Sequence, residues 1–508
     1  MKPYLIIFLF ILSIFIFGTS LYLAAVLDRI SPVDGSFVIC EDSDSGVNEF
    51  LRGIVSLKYS NSLSSKFFKQ YEDYCLDGST LLEYSCLKNS FSAKKISCDK
   101  GCLRGRCLSS GPEVYFVLAV DTEAHIDQLT LNDYSRRYDF SNYDGPSSIT
   151  GSLFDSDLRF NKLDSYGDPF KLTWYLYTSE DLCEGINTDC TSIYSSLTEN
   201  WKNELDFYED DLEWHFHNEE WNAPYSCWTQ ALFFDEGRRQ VAERILNSFL
   251  IDKNFFPSSY RAGWVWENND FSNFLENTVF SDYSNLAPLK SMQGIAECQG
   301  NLFDWSEAPT DWGWYHPDPE NYQILGDQNR IMFKCVQPTY FSIGKVIQKA
   351  RETNQPTVAC VYVHNTGDGT AYVLERLFDR IGSSFNDPDI DFSYVTAQEA
   401  TRIILNSKDI DKPEISLDYE SGIMNIQINE EIYGIAYVAI KSNNEYDRLE
   451  VENFGDSWFV EIPEDFRNEF IFAVAVTDLS GNVAIKKYVF PERVLETNEK
   501  LTISSLAN

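Results

Sequence analysis

The sequence predicts an α/β domain with a parallel sheet, placed between a small cysteine-rich module and an antiparallel β-sandwich. Three observations predict this fold class. Six of the 12 cysteines lie within residues 40–107. Apolar strand-like segments alternate with amphipathic segments over residues 112–406, and short strands without helical periodicity fill residues 413–492. With 508 residues, the chain has room for about three domains.

Composition excludes several classes of protein. Hydrophobic residues make up 44% of the chain and charged residues 23%, which excludes a disordered chain and a coiled coil. The 78 acidic residues outnumber the 41 basic ones, giving a net charge of −37. Since such a chain repels phosphate backbones, we expect no nucleic-acid partner and favour a neutral or cationic one.

The first 29 residues have the character of a membrane anchor. No charge interrupts the chain between Lys2 and Asp28, and Ile, Leu, Phe and Val dominate residues 3–27. Roughly 20 apolar residues suffice to span a bilayer. We therefore predict a transmembrane signal anchor at residues 1–29, with a cleaved signal peptide as the alternative, for which Ala24-Ala25 is a poor site.

A disulfide-rich module is predicted over residues 36–110. Zinc is the competing ligand, but the segment has no histidine and lacks the usual Cys-x-x-Cys pairs, so disulfides are favoured. The phrases CEDSDSG, EDYC, LLEYSC and CDKGCLRGRC resemble a cysteine-rich module of archaeal surface proteins. Because disulfides persist in oxidising compartments, we expect a single-pass membrane protein with the bulk of the chain extracytoplasmic.

Beyond the module, cysteines are sparser. Cys183 and Cys190 are expected to close a small loop. The other four are scattered and either pair or are simply buried; they are Cys227, Cys298, Cys335 and Cys360.

Strands and helices alternate across residues 112–406. Residues 114–120 and 358–363 are apolar strands, and apolar residues at i, i+3, i+4 and i+7 mark a helix from Ile343 to Ala350. This alternation predicts a parallel sheet, open or closed into a barrel, with its functional residues at the carboxyl ends of the strands.

The carboxy-terminal region has a different pattern. Short strands such as 424–428 and 470–476 predict an Ig-like antiparallel sandwich over residues 413–492. The polar tail at 493–508 is expected to lie outside it.

The first candidate functional segment is Val120-Asp121-Thr122-Glu123, at the end of an apolar strand. Strand side chains alternate between faces, so Asp121 and Glu123 point the same way and Thr122 points the opposite way. Two carboxylates at a strand end suit metal binding or proton transfer. A cap at the end of the strand is the alternative.

The second segment is Glu213-Trp-His215-Phe-His217-Asn-Glu219. The same alternation places His215 and His217 on one face, with Glu219 beside them if the strand continues. Two imidazoles and a carboxylate suit Zn²⁺ or another borderline divalent ion.

Two more segments complete the set. Arg261 precedes Trp264 and Trp266; arginine commonly orients a carboxylate, and tryptophan faces suit sugar rings, although Trp266 fits an ordinary core position equally well. His364 ends an apolar strand before a glycine-containing loop, which suits a general acid.

In this order the segments resemble the polysaccharide deacetylase (NodB homology) family, over roughly residues 112–405. Lys171-Leu-Thr-Trp-Tyr-Leu176 is similar to the family's second strand, and Phe392-Ser-Tyr-Val-Thr-Ala-Gln-Glu399 to its closing strand and helix. The resemblance implies a distorted (β/α) barrel, a divalent metal and an acetylated glycan as substrate.

Two motifs depart from the family pattern. The family opens with an Asp-Asp pair, one base and one metal ligand; this chain has Asp121-Thr-Glu123, which leaves the division of roles open, and we assign Asp121 to catalysis and Glu123 to the metal. The family's metal-binding histidines are separated by three residues. Here either His215 with His217 or His215 with Glu219 could hold the ion.

The resemblance also implies roles for later residues. Arg261 matches the arginine that orients the catalytic carboxylate, and His364 matches the general acid. The acidic residue that tunes this histidine is Asp282 or Asp304. Expected substrate contacts are Trp264, Trp266, Asp304 and Trp305.

The sequence therefore predicts a membrane-anchored, metal-dependent hydrolase that removes acetyl groups from a cell-surface or extracellular glycan. Two alternatives stay open. One is a glycan-binding surface protein on a catalytically degenerate barrel, and the other is a glycoside hydrolase that uses the carboxylates directly.

Overall fold

The structure is a computed structural model that describes residues 37–491, with gaps at 44–45, 48, 50–51, 62–63, 88–89, 100, 104, 109–111, 124, 130–135, 185–187, 223–226, 293–301, 354, 366–369, 385–389, 444, 455–456 and 467. The anchor predicted at residues 1–29 and the tail at 493–508 lie outside the described residues. Within the described part of the chain, no helix combines the length and apolar character that crossing a bilayer requires.

The chain forms two compact units, Met1–Leu108 and Ser109–Asn508. In the first, small antiparallel sheets surround a minimal core that includes Val55 and Leu81. Three disulfides join Cys40 to Cys86, Cys75 to Cys102 and Cys98 to Cys107, as the predicted disulfide-rich module requires. The strands are β1 (Phe37–Asp42), β2 (Ile54–Asn61), β3 (Ser64–Glu72), β4 (Tyr74–Asp77), β5 (Thr80–Leu87), β6 (Ser90–Ser97), β7 (Cys102–Leu103) and β8 (Arg106–Cys107).

The second unit begins with a β/α barrel. Its strands are β9 (Glu113–Asp121), β10 (His125–Leu129), β11 (Arg136–Asp139), β12 (Thr173–Ser179), β13 (Asp211–His217), β14 (Glu219–Asn222), β15 (Cys227–Gln230), β16 (Ser259–Tyr260), β17 (Ser281–Asn285), β18 (Lys290–Met292), β19 (Leu302–Asp304), β20 (Trp314–Tyr315), β21 (Ile331–Val336), β22 (Thr357–His364) and β23 (Asp391–Val395). Its helices are α1 (Ile149–Leu153), α2 (Ser156–Asn161), α3 (Glu180–Glu184), α4 (Ser192–Tyr208), α5 (Glu236–Ser248), α6 (Asn269–Glu276), α7 (Ile343–Thr353), α8 (Thr370–Ser384) and α9 (Ala397–Ile404).

A ring of parallel strands closes the barrel in the order β9, β12, β13, β16, β17, β21 and β22, and then returns to β9. Strands such as β12 and β21 are buried along their whole length, which explains why apolar and aromatic residues dominate both. Disulfides join Cys183 to Cys190, as expected, and Cys335 on β21 to Cys360 on β22. The predicted distorted β/α barrel is confirmed.

Two four-stranded antiparallel sheets follow the barrel. Their strands are β24 (Ile415–Glu420), β25 (Ile423–Ile428), β26 (Tyr437–Ser442), β27 (Glu445–Arg448), β28 (Glu452–Phe454), β29 (Ser457–Glu461), β30 (Phe470–Thr477) and β31 (Val483–Phe490). One sheet has the order β24-β25-β29-β28 and the other β27-β26-β30-β31, and their facing side chains, Met424, Ile440 and Phe472 among them, form a second core.

The ring geometry determines where functional side chains meet. Because the ring strands are parallel, their carboxyl ends share one edge of the barrel. β9 ends at Asp121, β13 at His217 and β22 at His364, and the register pairs Asp121 directly with His364. Residues more than two hundred positions apart are thus brought to one rim.

Candidate metal centre

Asp121 and Glu123 lie on the same side of the chain at the end of β9, as the alternation predicts. Thr122 points the opposite way, where its hydroxyl donates to the carbonyl oxygen of Tyr175 at 2.9 Å and accepts from the backbone N–H of Tyr177 at 2.8 Å. These two bonds fasten the end of β9 to β12. The acidic pair therefore faces the barrel axis with little freedom to rotate.

A set of polar residues that the sequence analysis missed holds Glu123 by its backbone. Its N–H donates to Oδ1 of Asn365 at 2.7 Å, and its carbonyl oxygen accepts from the Tyr143 hydroxyl at 2.7 Å and from Nδ2 of Asn142 at 3.2 Å. Asn365 follows His364 directly, so an amide next to a candidate catalytic residue is the sequence feature that could have identified it.

His215 and His217 share one face of β13 and bring their Nε2 atoms to 3.0 Å from each other. The Nε2 atom of His217 also lies 4.0 Å from Oε1 of Glu123. One ligand atom from each of Glu123, His215 and His217 falls within 4.8 Å of the other two. This buried group could hold a metal ion, and it contains the three residues that the sequence analysis assigns to the metal.

The partners of the two Nδ1 atoms determine what the Nε2 atoms can do. Nδ1 of His215 lies 2.8 Å from the carbonyl oxygen of Arg261, and Nδ1 of His217 lies 3.3 Å from Oε1 of Glu219. A carbonyl or carboxylate oxygen only accepts, so each Nδ1 carries a proton and each ring turns its Nε2 toward the other. Without a metal, the 3.0 Å contact between the Nε2 atoms needs one proton, donated by one imidazole to the other; in its place a borderline divalent ion such as zinc could bind both nitrogens.

Burial controls the protonation of this group. Desolvation lowers the pKa of His215 to about 3, so this imidazole is neutral at physiological pH. Desolvation also raises the pKa of Glu123 to about 7, against the opposing attraction of His217. Burial alone would lower the pKa of His217, but the hydrogen bond to Glu219 and the charge of Glu123 raise it.

Arg261 holds Asp121 inside the barrel. Its Nε lies 2.6 and 2.9 Å from the two carboxylate oxygens, and its Nη1 donates to the carbonyl oxygen of Tyr283 at 3.0 Å. The ring of Tyr362 covers the guanidinium at 3.5 Å. Burial would raise the pKa of Asp121, but the charge of Arg261 and its hydrogen bonds to the carboxylate hold it below its usual range.

His364 faces Asp121 from the neighbouring strand, with Nε2 3.8 Å from Oδ2. Its side chain is 42% exposed, so it is open to a ligand from solvent. Partial burial lowers its pKa below the usual value. Of the two carboxylates considered for tuning it, Asp282 pairs with buried Arg330 and Asp304 accepts from Ser306; the carboxylate beside His364 is Asp121.

The expected substrate contacts are dispersed. Trp305 and Trp266 are 0% and 4% exposed, with Trp266 stacked on Phe271, so neither presents a face to a sugar in this conformation. Asp304 is half-buried at the end of β19. Trp264 is half-buried too, but its ring centroid lies 5.5 Å from that of His217, beside the metal group.

The segment that carries Trp264 has an unusual backbone. Trp264 and Val265 both have positive φ, 56° and 57°, and for a β-branched residue this is a rare, strained conformation. Just before them, Gly263 lies so close to His217 that a Cβ on it would stand 2.2 Å from the ring carbon Cδ2. Only glycine fits this approach.

Comparison with known proteins assigns no family. No protein-family model and no curated protein matches the chain. Among solved structures, an engineered protein shares 8% identity over 73% of this chain and 93% of its own, with a TM-score of 0.24. An endo-β-1,4-mannanase from Thermotoga petrophila shares 8% identity over 69% of this chain and 95% of its own, with a TM-score of 0.23. A putative β-galactosidase from Bacteroides fragilis shares 9% identity over 90% of this chain and 73% of its own, with a TM-score of 0.16. The likeness is distant.

Proposed function

We propose that this protein is a metal-dependent hydrolase that removes acetyl groups from a glycan outside the cytoplasm. The observation that carries the proposal is the pair of imidazole Nε2 atoms, 3.0 Å apart, beside Asp121, which Arg261 holds in place. Glu123, His215 and His217 would hold the ion. When bound, a divalent ion polarises a carbonyl group and acidifies water.

Asp121 supplies the base. Its lowered pKa keeps it ionised at neutral pH, and the Nε contact with Arg261 fixes the plane of the carboxylate. An ionised carboxylate in a fixed orientation accepts a proton from attacking water without first losing one of its own. Arg261 acts as an orienting residue, since its charge neutralises Asp121 in a buried setting.

His364 supplies the acid from the exposed side. It is the most accessible ionisable side chain of the group, so the leaving group of a large substrate can reach it. In its protonated form it donates to the departing amine or alcohol. Because its pKa is lowered, the protonated form gains population only on the acid side of neutrality.

The substrate class rests on the resemblance to polysaccharide deacetylases. The order of the segments from Asp121 to His364 supports it, whereas Asp-Thr-Glu and His-x-His depart from the family pattern. The disulfides indicate an extracytoplasmic compartment. We further propose that residues 1–29 anchor the protein in the cell membrane.

The test is acetate release. The full chain, purified in detergent, should release acetate from N-acetylglucosamine oligomers or from an O-acetylated glycan. Release should stop with a chelator, return with zinc, and be lost in His215→Ala. Release that continues at full rate in chelator would contradict the proposal.

A second candidate is a glycoside hydrolase that uses the carboxylates directly. One observation favours it: the environment separates the two acidic groups, raising the pKa of Glu123 to about 7 and lowering that of Asp121. Such a separation is typical of an acid and a nucleophile or base. Chelator-resistant cleavage of a glycan, with new reducing ends and no acetate, would identify it.

A further inference from the structure

We propose that Glu219 is a positioning residue that orients His217 and sets the strength of metal binding, and that Trp264 holds Glu219 in place. The inference rests on the proposed function, because it concerns the same metal site. It assigns a role to a carboxylate that lies behind the three ligands.

One oxygen of Glu219 receives two hydrogen bonds. Oε1 lies 3.3 Å from Nδ1 of His217 and 3.3 Å from Nε1 of Trp264, and both nitrogens are donors. The other oxygen, Oε2, is buried and has no hydrogen-bond partner among the described residues. Glu219 is 5% exposed, so its carboxyl group is buried although one of its two oxygens is unused as an acceptor. Burying an unpaired polar atom is costly for folding alone.

The backbone fixes Glu219 behind the histidine. Glu219 begins β14 two residues after His217, and Nη1 of Arg238 donates to its carbonyl oxygen. On the opposite side, the left-handed turn at Trp264 directs the indole N–H to the carboxylate, next to the close approach of Gly263 to His217. The His217 ring is therefore held from two sides.

The two histidines have unequal partners. His215 donates to a neutral backbone carbonyl, whereas His217 donates to a carboxylate. A carboxylate that accepts from Nδ1 makes the opposite nitrogen a stronger ligand, and loss of such a partner typically weakens metal binding about 10- to 100-fold.

The experiment compares zinc affinity in full-length variants, measured by competition with a chromophoric chelator. Glu219→Gln retains the shape and an acceptor but removes the charge, and we expect affinity to fall about 10- to 100-fold. Glu220→Gln is the matched control, since the side chain of this neighbour is 37% exposed and makes only a long contact, 3.9 Å, with Arg238. Trp264→Phe retains an aromatic ring but removes the N–H that donates to Glu219, so its zinc affinity should fall a few fold.

Two further readouts separate positioning from a purely structural role. The melting temperature of the metal-free protein should be preserved in Glu219→Gln, because a buried carboxylate is replaced by a neutral amide of the same size. The visible spectrum of bound cobalt(II) should change in Glu219→Gln and stay unchanged in Glu220→Gln.

The outcomes are distinguishable. If wild type binds zinc and the zinc affinity of Glu219→Gln is within twofold of wild type, the inference is overturned while the proposed function stands. The same holds if Glu220→Gln loses as much zinc affinity as Glu219→Gln. If wild type binds no zinc or cobalt, both are overturned.

Discussion

Arg261 contacts His215 and Asp121 at the same time, the first through its backbone and the second through its side chain. Its carbonyl oxygen accepts from Nδ1 of His215 at 2.8 Å, while its Nε lies 2.6 Å from Oδ1 of Asp121. One residue thus fixes the tautomer of His215 and the orientation of the Asp121 carboxylate.

This double role predicts that Arg261→Lys separates metal binding from turnover. The backbone carbonyl remains, so zinc content should stay near that of wild type. Lysine retains the charge but cannot reproduce the contact of Nε with both carboxylate oxygens, so kcat should fall roughly 100-fold. Zinc content and acetate release measured on the same sample check this; loss of both together would contradict it.

The approach of Gly263 to His217 predicts that Gly263→Ala disrupts the site. A Cβ there would also lie 2.6 Å from the carbonyl oxygen of Phe216, so the backbone or the ring must shift. We expect destabilisation of about 1–3 kcal/mol and loss of zinc binding. Gly313→Ala is the control, since a Cβ at that position meets nothing within 4 Å. Thermal unfolding and zinc titration of both variants provide the measurement.

Metal binding should depend on pH. In the metal-free protein the pKa of Glu123 is about 7 and that of His217 is raised, so both groups hold protons at slightly acidic pH. A cation must displace these protons. Zinc affinity should therefore fall as pH decreases through 7, and binding should release protons into a weakly buffered solution. A flat affinity between pH 6 and 8, measured calorimetrically, would count against these ligands.

Turnover at saturating zinc should depend on pH in the opposite direction. His364 donates only when protonated, and its pKa is lowered from the usual 6.5. As pH rises past this lowered pKa the acid form disappears, so kcat should decrease from mildly acidic to alkaline pH. His364→Gln should lower kcat by roughly 100-fold or more and abolish this decrease, while zinc binding persists. A pH profile is the measurement.

Stability of the metal-free protein should decrease as pH rises through a window set by Asp211. Burial raises the pKa of Asp211 to about 6, and its Oδ2 has no hydrogen-bond partner within the part of the chain that the structure describes. Between the unfolded value of 3.8 and about 6 the folded state binds the extra proton, so stability is highest below the window and is lost as pH rises through it. Asp211→Asn should remove this contribution and raise the melting temperature at pH 8. An unchanged melting temperature would contradict it.

Strand periodicity predicted which side chains of the two segments come together. The alternation of Asp121-Thr-Glu123 and of His215-Phe-His217 determined which side chains face the barrel axis, and parallel strands brought them to one edge. These are local rules, so they can be applied to a single sequence. The contact between Arg261 and Asp121, by contrast, was implied only by the resemblance to polysaccharide deacetylases.

The parts of the site that the sequence patterns did not predict depend on three-dimensional packing. Glu219 begins a new strand after His217, so it turns behind the histidine instead of continuing the face. The hydrophobic pattern could not separate Trp264, beside the site, from Trp266 and Trp305 in the core, because all three are aromatic and near glycine or charged residues. The left-handed turn at Trp264 and Val265 has no signal in residue types, since both normally avoid positive φ.

The most direct test of the central claim is the metal content of the full-length protein after exposure to zinc and removal of unbound ions. Elemental analysis should find about one zinc per chain in wild type and little in Glu123→Ala, His215→Ala or His217→Ala. Wild type that retains no zinc, or the same zinc content in all four proteins, would contradict the account.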